Sequence, residues 1–180
     1  MKKILLPLFL VLLHFSVQSQ EKFNEVKFNI ANTIAVASVE LGYERFLDDN
    51  QSLEAVFLIN DRMNYQSEKG SRKFNTQSYK IGYNYYFGEE YEGSGLYANP
   101  FIKLRTGEFQ EIDNRTDPEQ TVITNMNSFM LGIGGGYKWN FNNTFVLGPF
   151  INIARNFSEE VKNRFTALEF NAGFNVGYRF

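Results

Sequence analysis

An eight-stranded, antiparallel, up-and-down transmembrane β-barrel behind a cleaved leader is the fold this sequence predicts, and three observations predict it. Beyond its N-terminal segment the chain alternates large apolar with small or polar residues almost throughout, the mark of strands with two unlike faces. Aromatic residues are 17% of the chain, 19 Phe and 10 Tyr against one Trp, in a sequence of negative mean hydropathy. Short and long connections alternate between the strands, as in a barrel with tight turns at one rim and longer loops at the other.

The leader comes first. Lys2 and Lys3 precede an apolar run over 4–13, and 14–20 (HFSVQSQ) is polar with small residues. That is the layout of a secretory signal peptide, too short and too Pro-interrupted to span a membrane as a helix. Cleavage after Ser19 or Gln20 divides the chain into a signal peptide, 1–19, and a barrel, 20–180.

The strands follow in order. The first is expected at 25–31, with Val26, Phe28 and Ile30 on one face. The second, 37–47, sets Val39, Leu41 and Tyr43 against Ser38, Glu40, Gly42 and Glu44. The third, 52–60, carries Leu53, Ala55, Phe57 and Ile59. In the fourth, 79–88, Tyr79, Ile81, Tyr83, Tyr85 and Phe87 alternate with Lys80, Gly82, Asn84 and Tyr86. The fifth, 96–105, opposes Leu96, Ala98, Pro100, Ile102 and Leu104 to Asn99, Lys103 and Arg105. The sixth, 129–140, runs from Phe129 to Trp139 against Gly132, Gly134, Gly136 and Lys138. The seventh, 144–154, sets Phe145, Leu147, Pro149, Ile151 and Ile153 against Gly148 and Asn152. The eighth, FNAGFNVGYRF at 170–180, is the most regular of all.

Connections at 48–51, 89–94 and 142–143 are short; those at 61–74, 112–124 and 158–164 are long and polar. With eight strands both termini fall at the short-turn rim, which places them in the periplasm. A soluble barrel or sandwich also alternates, but it turns its large apolar residues inward. Glycines opposite the aromatics weaken a solvent-facing strand and suit a crowded lumen, which eight strands leave just wide enough for side chains. Tyr83, Tyr85, Phe87, Tyr137, Trp139, Phe141, Tyr178 and Phe180 collect near the short turns, as in the aromatic girdle of a membrane boundary.

The chain has no Cys, and its single His, His14, lies in the leader. Thiolate sites, disulfides and imidazole chemistry are therefore absent from the barrel segment, and no cofactor or metal is expected. A formal charge of −2 argues against nucleic acid. The glycine-rich stretch 132–138 lacks the spacing of a phosphate loop and any following helix. If the alternation holds, Glu40, Glu44, Glu54 and Glu169 point into the lumen together with Lys27, Lys80, Lys103, Arg105, Lys138 and Arg179. Charges in so narrow an interior must pair, which makes a plug; the alternative is a narrow path for small solutes or ions. Arg62, Lys69, Arg72, Lys73, Asp113, Arg115, Asp117, Glu159, Glu160, Lys162 and Arg164 populate the long loops, which suit a partner protein or lipopolysaccharide.

These residues carry a resemblance. Phe174, Val176, Tyr178 and the terminal Phe180 are similar to the C-terminal signal of bacterial outer-membrane barrels, which implies recognition by the barrel-assembly machinery. The segment 38–47 (SVELGYERFL) and the leader resemble those of small eight-stranded outer-membrane proteins of Bacteroidetes, of OmpA/OmpX-like architecture and without assigned function. The resemblance implies insertion into the outer membrane, among its lipid and lipopolysaccharide, and transfers no catalytic residue. The expectation is a non-enzymatic outer-membrane protein with a structural or interaction role, such as that of an accessory subunit of an envelope complex. A narrow channel is the alternative, and a lipid-active enzyme, which in most such barrels implies a catalytic His, a distant third.

Overall fold

The computed structural model describes residues 23–66, 68, 71–87, 93–113 and 120–180. The leader expected at 1–19, most of the turn at 89–94, and Lys69, Arg115 and Asp117 lie outside the described residues, as does the side chain of Asp113. In chain order the elements are β1 (Asn24–Asn29), α1 (Ile30–Val36), β2 (Val39–Phe46), β3 (Gln51–Ile59), a 3-10 turn (Met63–Tyr65), β4 (Lys73–Tyr86), β5 (Gly95–Asp113), β6 (Gln120–Asn125), β7 (Ser128–Phe141), β8 (Phe145–Asn156), α2 (Glu159–Arg164) and β9 (Leu168–Arg179).

Every strand pairs antiparallel with its neighbour, β1 pairs with β9, and β4 pairs with β5. The wall is thus a closed barrel of β1–β5 and β7–β9, eight strands, in which the pairing of β1 with β9 joins the first strand to the last. β6 stands outside it. β5 pairs with β7 from Gly95 to Arg105 and then, from Glu108 to Asp113, with β6. The change of partner falls at Gly107, whose φ of 122° is closed to other residues and whose added Cβ would lie 2.0 Å from the Asn75 carbonyl oxygen.

The faces are inverted relative to a water-soluble protein. Val26, Leu41, Leu53, Ile81, Ile102, Ile133, Ile151 and Phe170 are exposed on the outside, while Glu25, Lys27, Glu44, Glu54, Arg105 and Arg179 are buried. Period-two alternation produces this because successive side chains take opposite faces. Outside, aromatic rings gather at the short-turn rim: Tyr85 against Phe87, Tyr137 against Trp139, and Phe145 against Tyr178, at centroid separations of 5.2, 5.1 and 5.8 Å. Asn142 and Asn143 take φ of 54° and 50° in the turn between β7 and β8, the left-handed pair that matches strand twist.

Lumen glycines are set by close approach. A Cβ on Gly132 would sit 2.3 Å from the ring of Phe101 and 2.7 Å from the Ile153 carbonyl oxygen, which cannot withdraw. The stretch 132–138 is accordingly strand β7.

Two expectations need correction. The first strand ends at Asn29 rather than 31, and Ile30 opens α1 instead of continuing the outer face. Asn29 caps that helix, its Oδ1 accepting the Asn32 N–H at 3.1 Å, a role Asn favours. Second, β4 starts at Lys73 and β5 runs to Asp113, so the expected loops at 61–74 and 112–124 are partly strand. Lys73, Asn75 and Gln77 face outward and are polar; the strands rise above the apolar band, where the alternating signal fades.

Candidate functional site: the lumen and its cap

Each strand of the wall contributes its inward positions to the lumen, and twelve of the residues buried there are charged. Six buried carboxylates, from Glu25, Glu40, Glu44, Glu54, Asp61 and Glu169, meet six buried cations, from Lys27, Lys80, Lys103, Arg105, Lys138 and Arg179. Ten of these twelve are the residues expected inside from the sequence. Glu25 and Asp61 are the two that reasoning on the sequence missed. Glu25 lies two positions before Lys27, so parity alone would have found it. Asp61 is hidden because Asn60 takes φ of 57°, a kink that turns the next side chain inward. The imbalance of six cations against four carboxylates was itself a signal that two acids were missing.

Toward the short-turn rim the charges form one network. Glu44, fully buried, accepts from Lys27 Nζ at 2.7 Å, Lys138 Nζ at 2.8 Å and the Tyr86 hydroxyl at 2.5 Å, and also from Ser52. Lys138 reaches Glu25 at 2.6 Å, and Arg179 Nε donates to the same carboxylate at 2.8 Å. Lys27 also pairs with Glu54, which takes Lys80 at 3.0 Å. Phe46 and Tyr86 close the rim beneath these cations: Lys138 lies 5.1 and 4.8 Å from their ring centres, and Arg179 4.9 Å from that of Phe46.

A second network lies toward the loop rim. Arg105 binds Glu169 through two nitrogens at 2.8 and 2.6 Å, and Asp61 through Nε at 2.9 Å. Lys103 pairs with Asp61 at 2.6 Å, the Ser78 hydroxyl donates to Asp61 at 2.5 Å, and Asn156 donates to Glu169 at 2.7 Å. Burial would raise the Asp61 carboxyl, but the charges of Arg105 and Lys103 outweigh it and hold it well below the usual carboxylate range. Glu40 stands apart. Its Oε2 accepts from the amides of Asn29 at 2.8 Å and Asn32 at 3.4 Å, and among the described residues it has no ion pair.

Small cavities follow one another along the lumen. One of about 30 Å³ shares Glu40, Lys80 and Asn152 with one of about 10 Å³. That one shares Lys27, Tyr97 and Asn175 with a third of about 10 Å³. Such volumes hold one or two waters.

The loop rim carries an apolar cap. Met63, Phe74, Phe109, Met126 and Val161 form a buried cluster with Phe165 packed against it, so the 3-10 turn, the β5–β6 hairpin and α2 fold on one another. Loop charges tie the same pieces together. Arg164 of α2 clamps Glu111 through two nitrogens at 2.7 and 2.6 Å, Arg72 lies 3.8 Å from Glu111, Arg62 pairs with Glu68, and Lys162 with Glu159 at 2.6 Å. Glu160 accepts the Asn125 N–H at 2.8 Å. Lys73 is exposed. Of the segment at the other rim, Val176, Tyr178 and Phe180 point outward and Phe174 is partly exposed.

This is a closed eight-stranded up-and-down barrel with a charged lumen and an apolar exterior. The chain is similar in structure to the N-terminal β-barrel domain of OprF from Pseudomonas aeruginosa, at 18% identity over 91% of this chain and 100% of that one, with a TM-score of 0.52. It is also similar to Ail, the attachment invasion locus protein of Yersinia pestis, solved with the heparin analogue sucrose octasulfate (12% identity, 88% and 97% coverage, TM-score 0.49). A third is Neisserial surface protein A (11% identity, 88% and 92% coverage, TM-score 0.43). No family model and no curated protein matches the sequence. The OprF likeness bears on the fold alone, that of a closed β-barrel domain.

Proposed function

We propose that this chain is an integral protein of a bacterial outer membrane, a sealed barrel that acts as a structural or interaction module of the envelope. The observation that carries the reading is the inversion of faces: apolar side chains cover the outside, and eleven of the twelve charges described inside are paired with one another. In water that exterior would be an aggregation surface; in lipid it is the required one. The lumen networks work as a plug. Each buried charge taken from water costs several kcal/mol unless paired, so the pairs hold the strands in register while they block the pore. The cap of packed loops then offers a preformed surface at the outer rim, to lipopolysaccharide or to an envelope protein, as rigid scaffolds present function on loops. The start of β1 and Phe180 lie side by side at the opposite rim, which on this reading is periplasmic and where the segment ending at Phe180 serves the assembly machinery. The reading involves no catalysis, in keeping with the lack of His and Cys beyond the leader.

Trp139, the only Trp, is exposed at the aromatic rim, which supplies the test. Refolded into vesicles, its fluorescence should be quenched by lipids brominated near the headgroup more than by lipids brominated at the chain ends. The unheated protein should also migrate differently from the boiled one. Quenching by aqueous iodide alone would sink the membrane placement.

The row of cavities favours one second reading, a narrow channel. Planar-bilayer recording separates the two: the plug gives no discrete steps, whereas a channel gives steps that vanish when Gly134 or Gly136 is enlarged. Co-purification from native membranes then tests the envelope-complex role, since a stoichiometric partner is what that role requires.

A further inference from the structure

Beside the far half of β9 no strand among the described residues closes the wall. β1 leaves the sheet at Asn29, opposite Asn175, while β9 continues to Leu168. On β9 the even-numbered backbone groups face β1, as the paired bonds between Asn24 and Phe180 show, both at 2.8 Å. From Phe174 to Leu168 side chains replace the missing strand. Asn29 Oδ1 accepts the Phe174 N–H at 3.3 Å. The Tyr65 hydroxyl donates to the Ala172 carbonyl at 2.7 Å and accepts the Ala172 N–H. Asn64 donates to the Leu168 carbonyl at 3.0 Å and accepts the Phe170 N–H at 2.7 Å, as a peptide group would. To reach them both residues take left-handed backbone, φ 48° and 56°, a conformation unusual for any residue with a Cβ and most of all for a bulky one.

Behind this patch lies the lumen cavity of about 30 Å³, lined by Glu40, Asp61, Arg62, Phe170 and Asn171 among others. Two of its groups are incompletely used. Glu40 has no ion pair, and Arg62, though paired to Glu68, keeps its buried Nε without a hydrogen-bond partner. In front of the patch Ile30, Ile34, Tyr65 and Phe170 are exposed, Ile34 at 79%.

We propose that this stretch is a lateral opening, latched by Asn64 and Tyr65, through which the cavity is reached from the side of the barrel. Its ligand is a zwitterionic phospholipid. The phosphate is met by Arg62 and the amine by Glu40, while the acyl chains remain outside against Ile30, Ile34 and Phe170. The cavity of about 30 Å³ is the latched state; release of the turn enlarges it. The proposal rests on the outer-membrane reading, whose own failure is read separately, from Trp139 quenching.

Hydrogen exchange on the full chain in phosphoethanolamine-lipid nanodiscs tests the latch, and native mass spectrometry after detergent exchange tests the ligand. The Phe170 and Ala172 amides should exchange about tenfold faster than those of Val176 and Tyr178 on the same edge. Asn64→Ala and Tyr65→Phe should widen that gap and leave Val176 and Tyr178 unchanged. The wild type should retain a phosphoethanolamine lipid in preference to a phosphoglycerol lipid, and Glu40→Gln and Arg62→Gln, each with wild-type heat-dependent mobility, should lose it. Equal protection along the edge, indiscriminate retention of both lipids, or retention unchanged in both variants overturns the proposal.

Discussion

Glu44→Gln is the sharpest probe of the lumen. Glu44 is fully buried and holds two ammonium groups and two hydroxyls. The amide keeps the shape, but it removes one negative charge and turns a donor toward groups that are themselves donors. Lys27 and Lys138 then depend on Glu54 and Glu25, which already serve Lys80 and Arg179. In that network four cations share three carboxylates, and the substitution leaves them two. Removing one partner of a buried pair costs about 3–5 kcal/mol, which corresponds to a shift of roughly two to three and a half decades in the unfolding equilibrium. The assay is urea unfolding in lipid vesicles followed by Trp139 emission, with heat-dependent mobility as a second reading. Glu111→Gln, which weakens the partly exposed clamp to Arg164, is the control and should cost about 1 kcal/mol or less. If Glu44→Gln costs no more than this control, water solvates the lumen charges and the plug reasoning fails.

Other expectations follow from the same geometry. Gly132→Ala should destabilise by about 1–3 kcal/mol, and Phe101→Leu should recover only part of it, since the Ile153 carbonyl also blocks the methyl; double-mutant unfolding measures this. Phe109→Ala should open the cap without opening the wall, read as protease cleavage in the loops of a protein whose mobility remains heat-dependent. The Asp61 carboxyl sits well below its ordinary range, pushed up by burial but held down more strongly by Arg105 and Lys103. A depressed folded-state pKa contributes stability that is complete above the unfolded value of about 3.9 and is lost as pH falls through the folded one. Urea midpoints should therefore show a fall below about pH 4 that is shallower in Asp61→Asn.

Within the apolar band the sequence was almost transparent. There lipid demands one kind of residue at every second position, so parity alone locates Lys27, Glu54, Lys138 and Arg179 inside. Parity fails where backbone geometry breaks it, as at Asn60 before Asp61, and where the outside becomes aqueous, as along β4 from Lys73 to Gln77. There a polar residue suits either face and the period disappears. α1 escaped notice because seven residues show little helical periodicity, although Asn29 was a readable cap. The cap itself was illegible for another reason. Met63, Phe74, Phe109, Met126 and Val161 are single apolar residues in polar surroundings, and only the folded chain brings them together.

The ion pair between Glu25 and Arg179 joins residues 154 apart in sequence, directly opposite each other in the β1–β9 register. It forms only when the first and last strands meet. Until then Glu25 lacks Arg179, Lys138 lacks the neighbour with which it shares Glu25, and the rim network is incomplete. Ring closure and charge neutralisation are therefore one event, and a half-made barrel gains little from being half made. Contacts so distant in sequence make closure slow, and they also make it cooperative. Unclosed intermediates carry uncompensated charge into a lipid phase that rejects it, so the hydrocarbon itself selects against every assembly that stops short of the ring.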